Sequence, residues 1–161
     1  EQILSLMIDL KTPLHPTIDR LIAKLEKHPE VFDPAVNPYA VRVVITGSRP
    51  DPSAFGEFPH FISFDGFIDV EYTPEQLERV ALISEPFCRY AKWKGGPEPL
   101  PAQEKQVIEQ LIAKSHKAGK PIRFWCSPDN AVAWETFRKL GIDIINTDQP
   151  EACTLYFQQN P

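Results

Sequence analysis

Short apolar runs alternate with amphipathic stretches along this chain, and that alternation constrains the fold more than any other feature. Residues 3–10, 41–45, 61–64, 80–83, 122–125 and 142–145 read as six strands. Each is apolar almost throughout, and 41–45 is rich in β-branched side chains. Helical spacing occupies the intervals. Ile18, Leu21, Ile22 and Leu25 define a helix over 17–27, and Val107, Ile108, Leu111 and Ile112 define one over 102–118 that stops at Gly119 and Pro121. A short helix is expected over 74–79 with Thr73 as N-cap and Pro74 at the first position. A helix over 130–140 closes at Gly141, and a terminal one covers 150–158. Strands separated by helices pair in parallel, because parallel neighbours need a crossover. Near-continuous apolar strands imply a sheet buried on both faces. A doubly wound α/β sheet and a β/α barrel both satisfy this pattern. A complete barrel needs roughly 200 residues or more, so a barrel of 161 residues lacks about two strands.

Composition narrows the function classes. The net charge is −5 and no basic patch is dense enough for nucleic acid. No apolar run reaches the roughly 20 residues of a membrane span. The 17 prolines fall mostly between apolar runs and punctuate loops. Cys88, Cys126 and Cys153 are widely spaced, with no Cys-x-x-Cys pair and no Cys/His cluster. They are therefore expected to be buried free thiols, without a zinc site or a disulfide framework.

Ligands of parallel α/β folds bind at the carboxyl ends of the strands, and those ends are polar here. They carry Asp9 and Lys11, then Thr46 to Arg49, then Asp65. Ser84 and Glu85 follow, then Trp125, Ser127 and Asp129, then Asn146 and Asp148. Asp9 and Lys11 are two apart on one strand and point to the same side. A carboxylate beside an ammonium suits a divalent cation together with an anionic oxygen; the alternative is an ion pair capping the strand. Asp65-Gly66 is read as a site or as a turn. Glu85, before Pro86, is read as a site residue or as solvated. Trp125 is read as core or as a site residue; Arg123 and Trp125 share the strand face opposite Phe124, and arginine with tryptophan suits a mouth more than a hydrophobic seam. Arg49 stands where a strand becomes a loop and suits an anion. Asp148 is read as the cap of the helix that starts at Pro150. None of the four histidines has a Ser or Cys partner at triad spacing.

In this order the strand-end motifs resemble a known family. The carrying residues are Ile8-Asp9-Leu10-Lys11-Thr12, Val44-Ile45-Thr46-Gly47-Ser48-Arg49-Pro50, Asp65-Gly66 and Leu82-Ile83-Ser84. The densest stretch is Gly119-Lys120-Pro121-Ile122-Arg123-Phe124-Trp125, followed by Pro128-Asp129, Leu140-Gly141-Ile142-Asp143 and Ile145-Asn146-Thr147-Asp148. The chain resembles the carboxyl-terminal portion of glycerophosphodiester phosphodiesterase-like proteins. These belong to the phosphatidylinositol-phospholipase-C-like TIM-barrel phosphodiesterases. The nearest branch is common in bacteria and related to fungal altered-inheritance-of-mitochondria proteins.

The resemblance implies an α/β fold of the (β/α)8 TIM-barrel type, with the third to eighth strands in a single domain over 1–161. It implies a metal-dependent phosphodiester hydrolase acting on glycerophosphodiester-like small molecules. Asp9 matches a carboxylate ligand of a divalent cation, calcium or magnesium; many relatives have Glu there. Lys11 matches the catalytic lysine near the phosphate, and Trp125 a tryptophan lining the substrate. Arg49, Asp65 and Glu85 are further substrate-binding candidates. Thr147-Asp148 matches the end of the eighth strand. The family's first-strand histidine, its second histidine and its second-strand acidic ligands do not occur here. An amino-terminal portion is therefore expected in the full protein, the alternative being a truncated domain that cannot turn over substrate. Self-association, or a bound amino-terminal fragment, is expected to cover the two open sheet edges. The resemblance points to a secreted or periplasmic protein. The rival reading is an inactive barrel that binds a phosphorylated or polyol ligand or serves as an interaction scaffold.

Overall fold

A computed structural model describes residues 3–160. The fold is mixed α/β and its chain divides into two compact units. Residues up to Gly66, with Val70–Ala81, form the first; Phe67–Asp69 and the residues from Leu82 onward form the second.

The first unit contains β1 (Ser5–Leu10), α1 (Leu14–Leu25), α2 (Pro29–Phe32), β2 (Arg42–Gly47), a 3-10 helix (Pro52–Glu57), β3 (Ile62–Gly66) and α3 (Pro74–Glu78). Its three strands are parallel. β1 pairs with β2 from Ser5 opposite Arg42 to Leu10 opposite Gly47, and β2 pairs with β3 from Val43 opposite Ile62 to Ile45 opposite Phe64. Val43, Val44 and Ile45 are consecutive and all buried, so β2 is covered on both faces, as its unbroken apolar run requires. Ile18 and Leu25 of α1 are buried with it, and Phe55 stacks on Phe64 at 4.2 Å. β1 departs from the expectation of a strand buried on both faces. Leu10 is buried, but Leu6 is exposed, as is Leu4 just before the strand. Arg79 fixes the approach to β3 by donating to the carbonyls of Phe58, Pro59 and Ile62. Thr73 and Gln76 close a reciprocal capping box at the start of α3.

β4 (Val80–Pro86) carries the chain into the second unit. There follow α4 (Phe87–Tyr90), α5 (Ala102–Lys117), β5 (Ile122–Trp125), α6 (Ala131–Leu140) and α7 (Pro150–Gln159). β4 and β5 are parallel, from Ile83 opposite Ile122 to Pro86 opposite Trp125. The core is aromatic: Phe87 meets Phe124 and Phe137 edge-on, and Trp93 also meets Phe137. α5 contributes Ile108 and Ile112 to this core, whereas Val107 is exposed. The side chain of Asn130 accepts from the Ala133 amide and starts α6. Gly141, at φ 81°, ends it in the left-handed conformation that costs a glycine least.

The sixth expected strand is not formed. Of residues 142–145, Ile144 alone makes a bridge, to Arg123, and its amide donates to the Ile122 carbonyl. The Asp143 carboxylate accepts from the Ile122 amide at 2.8 Å and occupies a donor that a ladder would use. α2, α4 and the 3-10 helix were not legible in the periodicity, being no longer than six residues.

Candidate functional site

In the first unit the strand ends bring two charged pairs to neighbouring positions. The Lys11 ammonium lies 2.6 Å from the Asp9 carboxylate, and both side chains are exposed, at 82% and 45%. The shared side predicted from their spacing of two is realised as an ion pair. Asp9 stands opposite Thr46 in the β1–β2 register, with Gly47 next to it. Gly47 has φ 77°, and a Cβ on it would lie 2.3 Å from Asp9 Oδ1 and 2.6 Å from the Leu10 carbonyl oxygen. A glycine is needed there both for its backbone conformation and for the approach of the Asp9 carboxylate.

One strand further, Asp65 is 3% exposed. Its Oδ2 accepts from the Thr46 hydroxyl at 2.8 Å, and its Oδ1 pairs with the Arg49 guanidinium. Asp65-Gly66 belongs to β3 and is not a turn. Thr46 thus stands opposite Asp9 and also bonds Asp65. Arg49 is nearly buried and directed at Asp65, so it serves this carboxylate. Lys11 is the exposed cation at this edge.

The second unit gathers the other candidates. Glu85, read as solvated or as a site residue, is 1% exposed. Its Oε1 accepts from the Ile68 amide at 2.7 Å and its Oε2 from the Tyr90 hydroxyl at 2.8 Å. Those donors remove the solvated alternative. Burial, then the hydrogen bond to Glu85, push the Tyr90 phenol up to about 12. Arg123 donates to the Ser84 hydroxyl at 3.0 Å and to the Asn146 side-chain oxygen. Phe124 is buried and Trp125 is 43% exposed, which matches the expected split of the β5 faces. Asp148 does not cap α7. Gln149 holds that position without a side-chain cap, and the Asp148 amide donates to Asp129 instead. Asp129 also accepts from Trp134 Nε1 at 2.7 Å. Burial raises its pKa, but hydrogen bonds from Thr147, Asp148, Trp134 and Gln149 outweigh it and hold the carboxyl below its ordinary range.

The reading of all three cysteines as free thiols is corrected. Cys88 in α4 and Cys126, just after β5, form a disulfide, and both residues are exposed. Cys153 is buried and free, as expected. The pair is 38 residues apart, so spacing alone carries no sign of it. The sign lies in the register: Pro86 stands opposite Trp125, which sets the residues that follow each strand side by side.

The implied divalent cation has little to hold it here. Asp9 is a single carboxylate already balanced by Lys11. Among the described residues no three His, Cys, Asp or Glu side chains gather into a metal-binding group. The residues present do not fit the cation by themselves. The four histidines each pair with an acid: His15 with Asp19, His28 with Glu30, His60 with Asp33 and His116 with Asp143. No helix among the described residues is long and apolar enough to cross a membrane. In comparisons with known proteins, no family model, no curated protein and no solved structure matches this chain.

Proposed function

We propose that this chain is part of a β/α barrel of the TIM type and supplies the phosphate-holding edge of a phosphodiester hydrolase. The substrates would be glycerophosphodiester-like small molecules. The observation that carries the reading is the exposed Lys11 ammonium at the carboxyl end of a parallel strand, held 2.6 Å from Asp9. A cation fixed there meets a phosphate oxygen without crossing the core. It counters charge that grows on the phosphoryl oxygens during attack, which lowers the barrier more than it favours the ground state. Asp9 orients the ammonium, and Gly47 makes room for Asp9. The Thr46–Asp65–Arg49 group beside them keeps the β2 and β3 ends in place. Trp125, which the family resemblance assigns to substrate contact, has an exposed aromatic face. Its disulfide neighbour suits a chain that matures in an oxidising compartment, in keeping with a secreted or periplasmic protein. No step is assigned to a metal ion, since Asp9 alone does not make a site for one.

The test is hydrolysis of glycerophosphodiesters by the full-length protein, assayed with calcium or magnesium. Lys11→Ala is expected to lower kcat by about a hundredfold or more, and Asp9→Ala to lower it less. Full activity in both variants would overturn the assignment. A second reading is a barrel that binds a phosphorylated or polyol ligand without turnover. It is favoured by the pairing of the carboxylates: Asp9 with Lys11, Asp65 with Arg49, and Glu85 with two donors. Binding of glycerophosphodiesters with no hydrolysis under any metal condition would select it.

A further inference from the structure

We propose that the Cys88–Cys126 disulfide is a reversible redox site, reduced by a dithiol, that sets the positions of Trp125 and Tyr90. The disulfide ties two segments that each carry a rim residue. Cys88 lies in α4 (Phe87–Tyr90), whose Tyr90 hydroxyl donates to the buried Glu85. Cys126 directly follows the exposed Trp125 at the end of β5. Both cysteines are exposed, so a dithiol reaches either sulfur without unfolding the unit. Cys153 differs, because it is buried and burial raises its thiol pKa; exchange is therefore confined to the exposed pair.

The backbone gives the switch a direction. Cys126 has φ 55° and is the one non-glycine residue with positive φ among those described. A side-chain-bearing residue holds that conformation only where its surroundings impose it, and here the bridge to Cys88 ties the residue down. Beside the bridge lies a cavity of about 160 Å³, lined in part by Phe87, Trp93, Lys94 and Pro128. It gives released side chains somewhere to go. Reduction proceeds by attack of a thiolate of the dithiol on one sulfur and displacement of the other, through a mixed disulfide. The second thiol of the reductant then resolves that intermediate. Two electrons and two protons pass from the dithiol to the protein. Two cysteine thiols form and the reductant leaves as its own disulfide. Cys126 then relaxes from the left-handed region, Trp125 turns, and α4 loosens around Tyr90. This inference does not rest on the phosphodiester reading.

Hydrogen exchange followed by mass spectrometry on the full chain tests it, in the oxidised protein and after dithiothreitol. The expected result is about tenfold faster exchange over 87–91 on reduction. The Ala91 amide, which donates to the Phe87 carbonyl, is the reporter for α4. Protection over 108–112 and 131–140 should stay unchanged, and re-oxidation should restore the slow rates. Cys126→Gly keeps the positive φ at little cost and removes the bridge; it should show the fast rates over 87–91 without reductant. Unchanged rates over 87–91 after complete reduction would overturn the proposal. So would loss of protection throughout 82–160, which would make the bridge a global staple. An intact mass showing free thiols at both positions in air-oxidised protein would overturn it too.

Discussion

Replacing Arg49 by Met tests the packing of the first unit most sharply. The substitution keeps most of the apolar stem and removes the guanidinium that pairs with Asp65. Asp65 is 3% exposed, so its carboxylate cannot turn to bulk water. Breaking a buried ion pair on one side costs about 3–5 kcal/mol, because the other charge stays behind. The Thr46 hydroxyl still donates to Asp65 at 2.8 Å, and that places the expected loss near the lower end, at about 3 kcal/mol. A urea slope of about 2 kcal/mol per M converts it to a midpoint lower by about 1.5 M. Thr46→Val, which removes a hydroxyl donor to the same buried carboxylate, should cost less, about 1.5–2 kcal/mol. Adding Asp65→Asn to Arg49→Met should recover part of the loss, since no charge is then stranded. Far-ultraviolet circular dichroism across a urea series, at constant slope, measures all three. The reasoning fails if Arg49→Met shifts the midpoint by less than about 0.3 M. It fails equally if the double variant is less stable than Arg49→Met alone.

Gly47→Ala meets two penalties at once: the positive φ, about 1–2 kcal/mol, and a Cβ placed 2.6 Å from the Leu10 backbone carbonyl oxygen, with the Asp9 carboxylate also forced aside. A melting temperature lower by several degrees and loss of whatever activity depends on Asp9 are expected; an unchanged melt would contradict the close approach. Tyr90 links stability to alkaline pH. Its folded pKa, about 12, lies above the ordinary 10, so the folded state holds the proton more tightly. That contribution is fully present below pH ~10 and disappears as pH rises toward 12. Unfolding measured across this window should show the decline in the parent and a weaker one in Tyr90→Phe.

Much of the fold follows from local pattern. The β-branched, unbroken apolar run of β2 reads as a strand covered on both faces, and Val43, Val44 and Ile45 are buried. The stop and start residues of the helices are equally local: Thr73 caps α3, and Asn130 and Gly141 bound α6. What was not legible depends on partners distant in sequence. Residues 142–145 have strand composition, but the Asp143 carboxylate takes the Ile122 amide that a ladder would need. Glu85 looks solvated beside Pro86, yet its donors are an amide 17 residues earlier and the Tyr90 hydroxyl. The disulfide required knowing that Pro86 stands opposite Trp125. At the candidate site, a spacing of two predicted that Asp9 and Lys11 point the same way. It gave no hint that Gly47 is the residue that lets Asp9 sit there.

The most direct test of the phosphate-holding role is equilibrium binding of a glycerophosphodiester, followed by calorimetry, to the parent protein and to Lys11→Met. Lys11 is 82% exposed and its pair with Asp9 lies at the surface, so the substitution should change stability by less than about 1 kcal/mol. A change in binding then reports the site and not the fold. The expected result is saturable binding to the parent and at least about tenfold weaker binding to Lys11→Met, equivalent to the loss of one charge-assisted hydrogen bond. Equal affinity in the two proteins, or no binding to the parent, would contradict it.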